Sequence, residues 1–284
     1  MIDFHTHPIL IQEFVRKYSN YERAARQVFQ IGNNFQPLET FFLQMDAAGI
    51  ERAVLLPIAC ARARKDPVSS NEQVAELCGM SPRFIGFASV DPVRKGAANE
   101  LENAVRKMGL KGLKLDPALQ DFRPDARKVL PVYEAAEALK IPVLMHTGMS
   151  WAPDTPLELG RPLLLEGPIR EFPKLNFVLA HFGWPWVWEA TALALKCPNV
   201  YLDTSCLYYD SPKEFFQFVF TRQIPATVIE RSLRNQVVFG SNYPRVEIKN
   251  MVHALKSLPL TEGCLNKILR TNAEKLLGIV NSEF

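Results

Sequence analysis

Histidine is scarce in this chain, with five in 284 residues, and its placement is uneven. His5 and His7 stand one residue apart in MIDFHTHPIL, directly after a short apolar opening. Residues i and i+2 of a strand share a face, so on a strand this pair aims two imidazoles at one point. Neutral imidazole is the commonest protein ligand for zinc, iron, manganese and similar ions. Two more histidines close apolar runs, His146 in IPVLMHTG and His181 in NFVLAHFG, whereas His253 in EIKNMVHALKSL reads as an ordinary helix residue. An ion held by four such groups would lower the pKa of a bound water toward neutrality, or polarise a carbonyl.

Groups so far apart in the chain need a scaffold that collects strand ends. Eight strand-like runs recur, at residues 2–7, 52–59, 83–90, 110–116, 141–148, 176–183, 199–205 and 236–242. Between them lie helical patterns such as PLETFFLQMDAAG, AANELENAVRKMG and WVWEATALALKC, several closed by Gly, Pro or basic residues. Strands alternating with helices predict an α/β fold, a (β/α)8 TIM barrel in which catalytic groups sit at the C-terminal strand ends. Runs such as FVLA and VVFG suit a sheet buried on both faces. The rival open sheet needs a Gly-rich phosphate turn, and neither GxGxxG nor GxxxxGK occurs. Residues 8–35 and 147–162 are long for connections, so the barrel is expected to be distorted, with insertions over its C-terminal mouth.

The strand ends carry further polar groups: Cys60 or Arg62, Asp91, Lys114 and Asp116, Asp203 and Ser205, and Asn242. Composition sets limits. Hydrophobic residues make up 48% and charged residues 22%, a globular balance. The net charge of +3 is small and mixed along the chain, which argues against nucleic acid as a partner. Five widely spaced cysteines without a CxxC suit reduced thiols, and no apolar run approaches a membrane span, so the expectation is a cytoplasmic protein without membrane contact.

Taken together, HTH on the first strand, VLMHTG, LAHFG and FGSNYP at the eighth resemble the amidohydrolase superfamily. The likeness is to the amidohydrolase-related branch that also holds aminocarboxymuconate-semialdehyde decarboxylase-like enzymes. RFIGFASVDP, GLKGLKLDP, NVYLDTS and NAEKLLGI extend it along nearly the whole chain, implying one barrel domain over residues 1–284. The resemblance implies that His5, His7 and His146 bind one divalent ion, with zinc the expected metal, and that His181 is the acid/base residue. Lys114 matches a position that is carboxylated in dinuclear relatives; here it is expected to remain an ammonium facing the mouth, binding substrate or pairing with Asp116. Family members are often dimers or larger, which leaves a homo-oligomer open by analogy.

At the eighth strand the chain departs from the pattern. The family has an aspartate there, and this chain has Asn242. A carboxamide is neutral and cannot act as a base near pH 7. Asn242 is therefore expected to orient water or substrate in the catalytic set while His181 moves protons. Arginine forks match carboxylates, so Arg62 and Arg161, with Lys114, point to a small organic acid as substrate, and Trp184 and Tyr243 are expected to line its pocket. Other loop groups after the strand ends include Arg64, Arg245, Trp151, Tyr208 and Tyr209. The leading expectation is a metal-dependent hydrolase of a carboxylate-bearing amide, ester or lactone. Non-oxidative decarboxylation of an unsaturated or aromatic acid stands second, and a catalytically impaired acid-binding barrel third.

Overall fold

The computed structural model describes residues 1–205 and 211–279, so Cys206, Tyr208 and Tyr209 lie outside the described residues. Eight strands appear where the apolar runs predict them: β1 Ile2–Thr6, β2 Arg52–Leu55, β3 Phe84–Gly86, β4 Leu113–Leu115, β5 Val143–Met145, β6 Phe177–Leu179, β7 Val200–Asp203 and β8 Val237–Val238. All pair in parallel, as β1-β2-β3 and as β4-β5-β6-β7-β8. Backbone hydrogen bonds join the two sets on both sides. Ala88 N donates to Gly112 O and Lys114 N to Ala88 O, each at 2.7 Å. Phe4 N donates to Phe239 O and Asn242 N to His5 O, each at 2.8 Å. The ring is thereby closed, and helices such as Leu38–Ala48, Ala97–Met108 and Val187–Lys196 flank it.

Strand alternation sorts the apolar residues into two sets. Leu113, Leu115, Val143, Met145, Phe177, Leu179 and Leu202 pack outward with the helices. Val54, Leu56, Leu144, Val178, Tyr201 and Val238 form a second cluster within the ring, with Ala273 and Leu276 of the helix Asn272–Leu277 packed against them. In the same parity as this inner set, and further along each strand, come Lys114, Asp116, His146, Asp203, Ser205 and Asn242. On β1 the inner residues are Ile2 and Phe4, so His5 and His7 stand in the opposite parity. The register of β1 shifts between Asp3 and Thr6, at the first histidine.

Both long connections cover the C-terminal mouth. In the first, Gln12–Lys17 and Tyr21–Arg23 are helical and Ala24–Val28 continues as a π-turn. In the second, Leu157–Gly160 is a short 3-10 turn. Gly148 is required here: its φ is +86°, and a Cβ on it would lie 2.3 Å from Trp184 O. No described helix is long and apolar enough to cross a membrane.

Candidate active site

His5, His7, His146 and His181 converge at one end of the ring, all buried. Ile2 and Phe4 occupy the inward positions of β1, so His5 and His7 face inward only with the register shift between Asp3 and Thr6. Parity places His146, but it would turn His181 outward, because Val178 and Ala180 occupy the inward positions of β6 and its continuation. The backbone corrects this: His181 and Phe182 adopt left-handed φ values of 57° and 49°. Such conformations are rare for bulky residues and concentrate at functional sites.

Each ring has one nitrogen facing an acceptor. His5 Nδ1 lies 2.7 Å from Asp203 Oδ2, and His7 Nδ1 lies 2.9 Å from Leu56 O. His181 Nδ1 lies 2.7 Å from Ser205 Oγ and 3.2 Å from Ser205 O, and His146 Nε2 lies 3.3 Å from Met149 O. Carbonyl and carboxylate oxygens accept only, so these nitrogens carry the protons. Burial holds all four imidazoles below their ordinary pKa, and His5, His7 and His181 well below it, which keeps them neutral. The remaining nitrogens are therefore bare. They face each other in pairs, His5 Nε2 with His7 Nε2 at 3.2 Å, and His146 Nδ1 with His181 Nε2 at 3.2 Å.

Two facing lone pairs make no hydrogen bond. Bonds of about 2.0–2.1 Å to one zinc-sized ion would place neighbouring ligand nitrogens about 3.0–3.4 Å apart. The spacing, the neutral rings and the outward acceptors that fix each ring are the donor arrangement that a divalent cation requires. His5, His181 and Asp203 also form a group of three possible ligands within 4.8 Å of one another. In that group Asp203 is already committed: Oδ2 receives His5, and Oδ1 receives the amides of His181 and Ser205 at 2.9 Å each and the Ser205 hydroxyl. It is better read as the support that orients two imidazoles than as a ligand. The expected trio of His5, His7 and His146 is divided between two close pairs, His5 with His7 and His146 with His181, linked where the His5 and His181 rings stand 4.9 Å apart.

His7, His146 and His181 line the floor of a cleft of about 410 Å³, mouth included. Lys114, Asp116, Asn242, Arg245, Phe29, Leu119 and Trp151 are among its lining residues. Lys114 is 1% exposed and its Nζ has no hydrogen-bond partner; burial lowers its pKa to about 8, against the pull of Asp116 and Asp203. Asn242 is buried at φ 64°, a left-handed conformation that Asn and Asp tolerate best after Gly. Asp116 caps the following turn through Leu119 N and lies 3.7 Å from His146 Nδ1.

The other expected substrate groups are not brought to this cleft. Arg62 is turned to Asp91 at 2.7 Å and to the carbonyls of Gln120 and Asp121, lining an adjoining groove instead. Arg161 pairs with Glu189 on the outside, half exposed. Tyr243 stacks on Phe41 at 4.6 Å in a separate crevice. Trp184 is partly buried against the outer core, its carbonyl receiving Met149 N at 3.0 Å. Arg245 lies at the cleft instead: its guanidinium covers the Phe29 ring at 4.2 Å and approaches Trp151 at 6.0 Å. Its position three residues after Asn242 was the available sequence signal.

Comparison with known proteins agrees with this architecture. The curated gamma-resorcylate decarboxylase of Polaromonas sp. (strain JS666 / ATCC BAA-500) is 27% identical over 283 residues, covering 85% of this chain and 84% of its own length. An uncharacterized TIM-barrel protein from Bordetella bronchiseptica superposes with a TM-score of 0.77 at 26% identity, covering 98% of each chain. A dihydroxybenzoic acid decarboxylase from Polaromonas sp. JS666, solved with manganese and the inhibitor 2-nitroresorcinol, superposes with a TM-score of 0.65 at 18% identity. It covers 98% of this chain and 96% of its own. The amidohydrolase family profile matches residues 2–279, and the chain belongs to that family.

Proposed function

We propose that this protein is a metal-dependent, non-oxidative carboxy-lyase acting on a hydroxylated aromatic acid. The sequence ranks hydrolysis first and decarboxylation second; the relatives, decarboxylases of dihydroxybenzoic acids, reverse that order. The observation that carries the reading is the inward set of bare imidazole nitrogens at the floor of a cleft flanked by Lys114 and Arg245. In this reading His5, His7 and His146 hold the ion and His181 handles protons. Bound there, a divalent ion draws substrate oxygens to the floor and stabilises negative charge that grows on them. A relative was solved with manganese bound, so manganese and zinc are both to be tried.

The rest follows from the chain's own groups. Lys114 offers an unpaired ammonium to the acid's oxygens. Phe29, Leu119 and Trp151 flank the ring and displace water. His181 Nε2, bare at rest, accepts the proton of a hydroxyl ortho to the carboxylate and so enriches the ring in electrons. The same proton then passes to the ring carbon that carries the carboxylate, and the carbon–carbon bond breaks with release of carbon dioxide. A phenolate remains, so charge and atoms balance. Asn242 neither gives nor takes a proton, but its amide can hold a substrate oxygen.

The test is carbon dioxide release from a panel of ortho-hydroxybenzoates by protein loaded with manganese or zinc, run beside a panel of lactones. Metal-dependent carbon dioxide release is expected, abolished in His181→Ala. Lactone hydrolysis without carbon dioxide release would return the reading to a hydrolase.

A further inference from the structure

Ser205 stands at a junction that the expected catalytic set leaves out. Its hydroxyl touches three groups: Asp203 Oδ1 in a short contact, His181 Nδ1 at 2.7 Å and His5 Nδ1 at 3.1 Å. All are buried; Ser205 and Asp203 are each 0% exposed. A serine hydroxyl has one proton to give and lone pairs to receive with. The carboxylate can only accept, so the proton goes to Asp203. Toward His181 the same oxygen must then accept. The carbonyl of Ser205, 3.2 Å from the same nitrogen, makes the same demand.

We infer that Ser205 is a positioning residue that fixes the tautomer of His181, holding the proton on Nδ1 so that Nε2 stays bare toward His146 and the cleft. The geometry leaves little slack. His181 already has a left-handed backbone, pinned by its amide to Asp203 Oδ1 at 2.9 Å. Asp203 and Ser205 together thus orient two imidazoles from two strand ends, through both carboxylate oxygens and one hydroxyl. A histidine in the other tautomer would present N–H to the cleft. It could then neither bind a cation there nor take a proton from substrate.

The tautomer can be read without metal or substrate, which separates this inference from the proposed reaction. In uniformly 15N-labelled, metal-free protein near pH 7.5, two-bond 1H–15N correlations distinguish the two neutral forms, with His181→Gln assigning the signal. Wild type is expected to show His181 as the Nδ1–H form, with Nε2 at the chemical shift of a bare nitrogen. Ser205→Ala keeps the carbonyl but loses the nearer acceptor, so a mixture with a substantial Nε2–H fraction is expected. Ser205→Thr, which keeps the hydroxyl, should restore the wild-type pattern. An Nε2–H form in wild type, or unchanged tautomer populations in Ser205→Ala, overturns the inference.

Discussion

His5 Nε2 and His7 Nε2 face each other at 3.2 Å with no proton between them, because each ring spends its proton on an outward acceptor. A cation between them removes the lone-pair repulsion. A ligand that binds only the folded state stabilises by mass action, by about 2.7 kcal/mol at 100 times its Kd. Thermal scans should therefore show Tm rising with added manganese or zinc and falling back with chelator. His7→Ala should flatten the response. A Tm indifferent to either ion would leave the facing pair unexplained.

Asp203 receives four donors with two buried oxygens, and its replacement is expected to cost more than any single histidine does. Asp203→Ala strands the His181 and Ser205 amides and the Ser205 hydroxyl, and leaves His5 Nδ1 only Ser205 Oγ at 3.1 Å. An unsatisfied buried donor costs about 1–3 kcal/mol, with partial relief by water. A loss of about 3–5 kcal/mol is expected from urea denaturation, with Asp203→Asn nearer half of that.

The barrel and its histidines were legible because strand parity is a strong signal. Lys114, His146, Asp203 and Asn242 fall in the inward parity of apolar runs that the sequence marks clearly, and His5 and His7 are legible as an i, i+2 pair, although the register shift of β1 that accompanies their inward aim is not. His181 was legible as a run-ending histidine, but its inward aim depends on a left-handed turn that no periodicity encodes. The loop groups were less readable. Whether Arg62 turns to a substrate or to Asp91 depends on carbonyls of residues 120 and 121, far away in the chain. Arg161 likewise meets Glu189 in the helix Val187–Lys196, beyond β6. Charge type alone could nominate these arginines but could not aim them. Asp203 and Ser205 lie in YLDTS, whose importance comes from contacts with positions 5 and 181 and is invisible locally.

Asn242 offers a gain rather than a loss. Its left-handed backbone accommodates Asp as readily as Asn, so Asn242→Asp should fold normally. The new carboxyl would stand at the cleft where the family pattern places one. General acid–base groups contribute about 100- to 10,000-fold. A rise in kcat for carbon dioxide release of at least tenfold is expected, read from single-turnover rates at saturating metal. No change would mean that His181 alone moves the proton.

Asp3 supplies a pH dependence. Burial raises its carboxyl to about 7, partly offset by hydrogen bonds from Ser241 and the His5 amide, and Oδ2 has no partner. The folded state therefore holds a proton that the unfolded chain releases near pH 4. Stability from this group is fully present below about pH 4 and is lost as pH rises through 7. The swing is of the order of 4 kcal/mol. Metal-free wild type should lose stability across this interval relative to Asp3→Asn, which keeps a neutral side chain throughout. Parallel pH profiles for the two proteins would count against a protonated Asp3.

Lys114 sets stability against function. Its ammonium is buried without a hydrogen-bond partner, and burying an unpaired polar group costs stability. Methionine is close in length and shape and carries no charge. Lys114→Met should thus raise the stability of the ligand-free protein by about 1–3 kcal/mol, since a buried unpaired polar group costs that much. The same change removes the cation that meets the acid, so KM should rise tenfold or more while the metal-induced Tm shift persists. If Lys114→Met instead destabilised the protein and left KM unchanged, the lysine would be tied to Asp116 and Asp203 as a structural charge. The two measurements separate these roles because a structural ion pair holds the fold without substrate, and a waiting ammonium strains it.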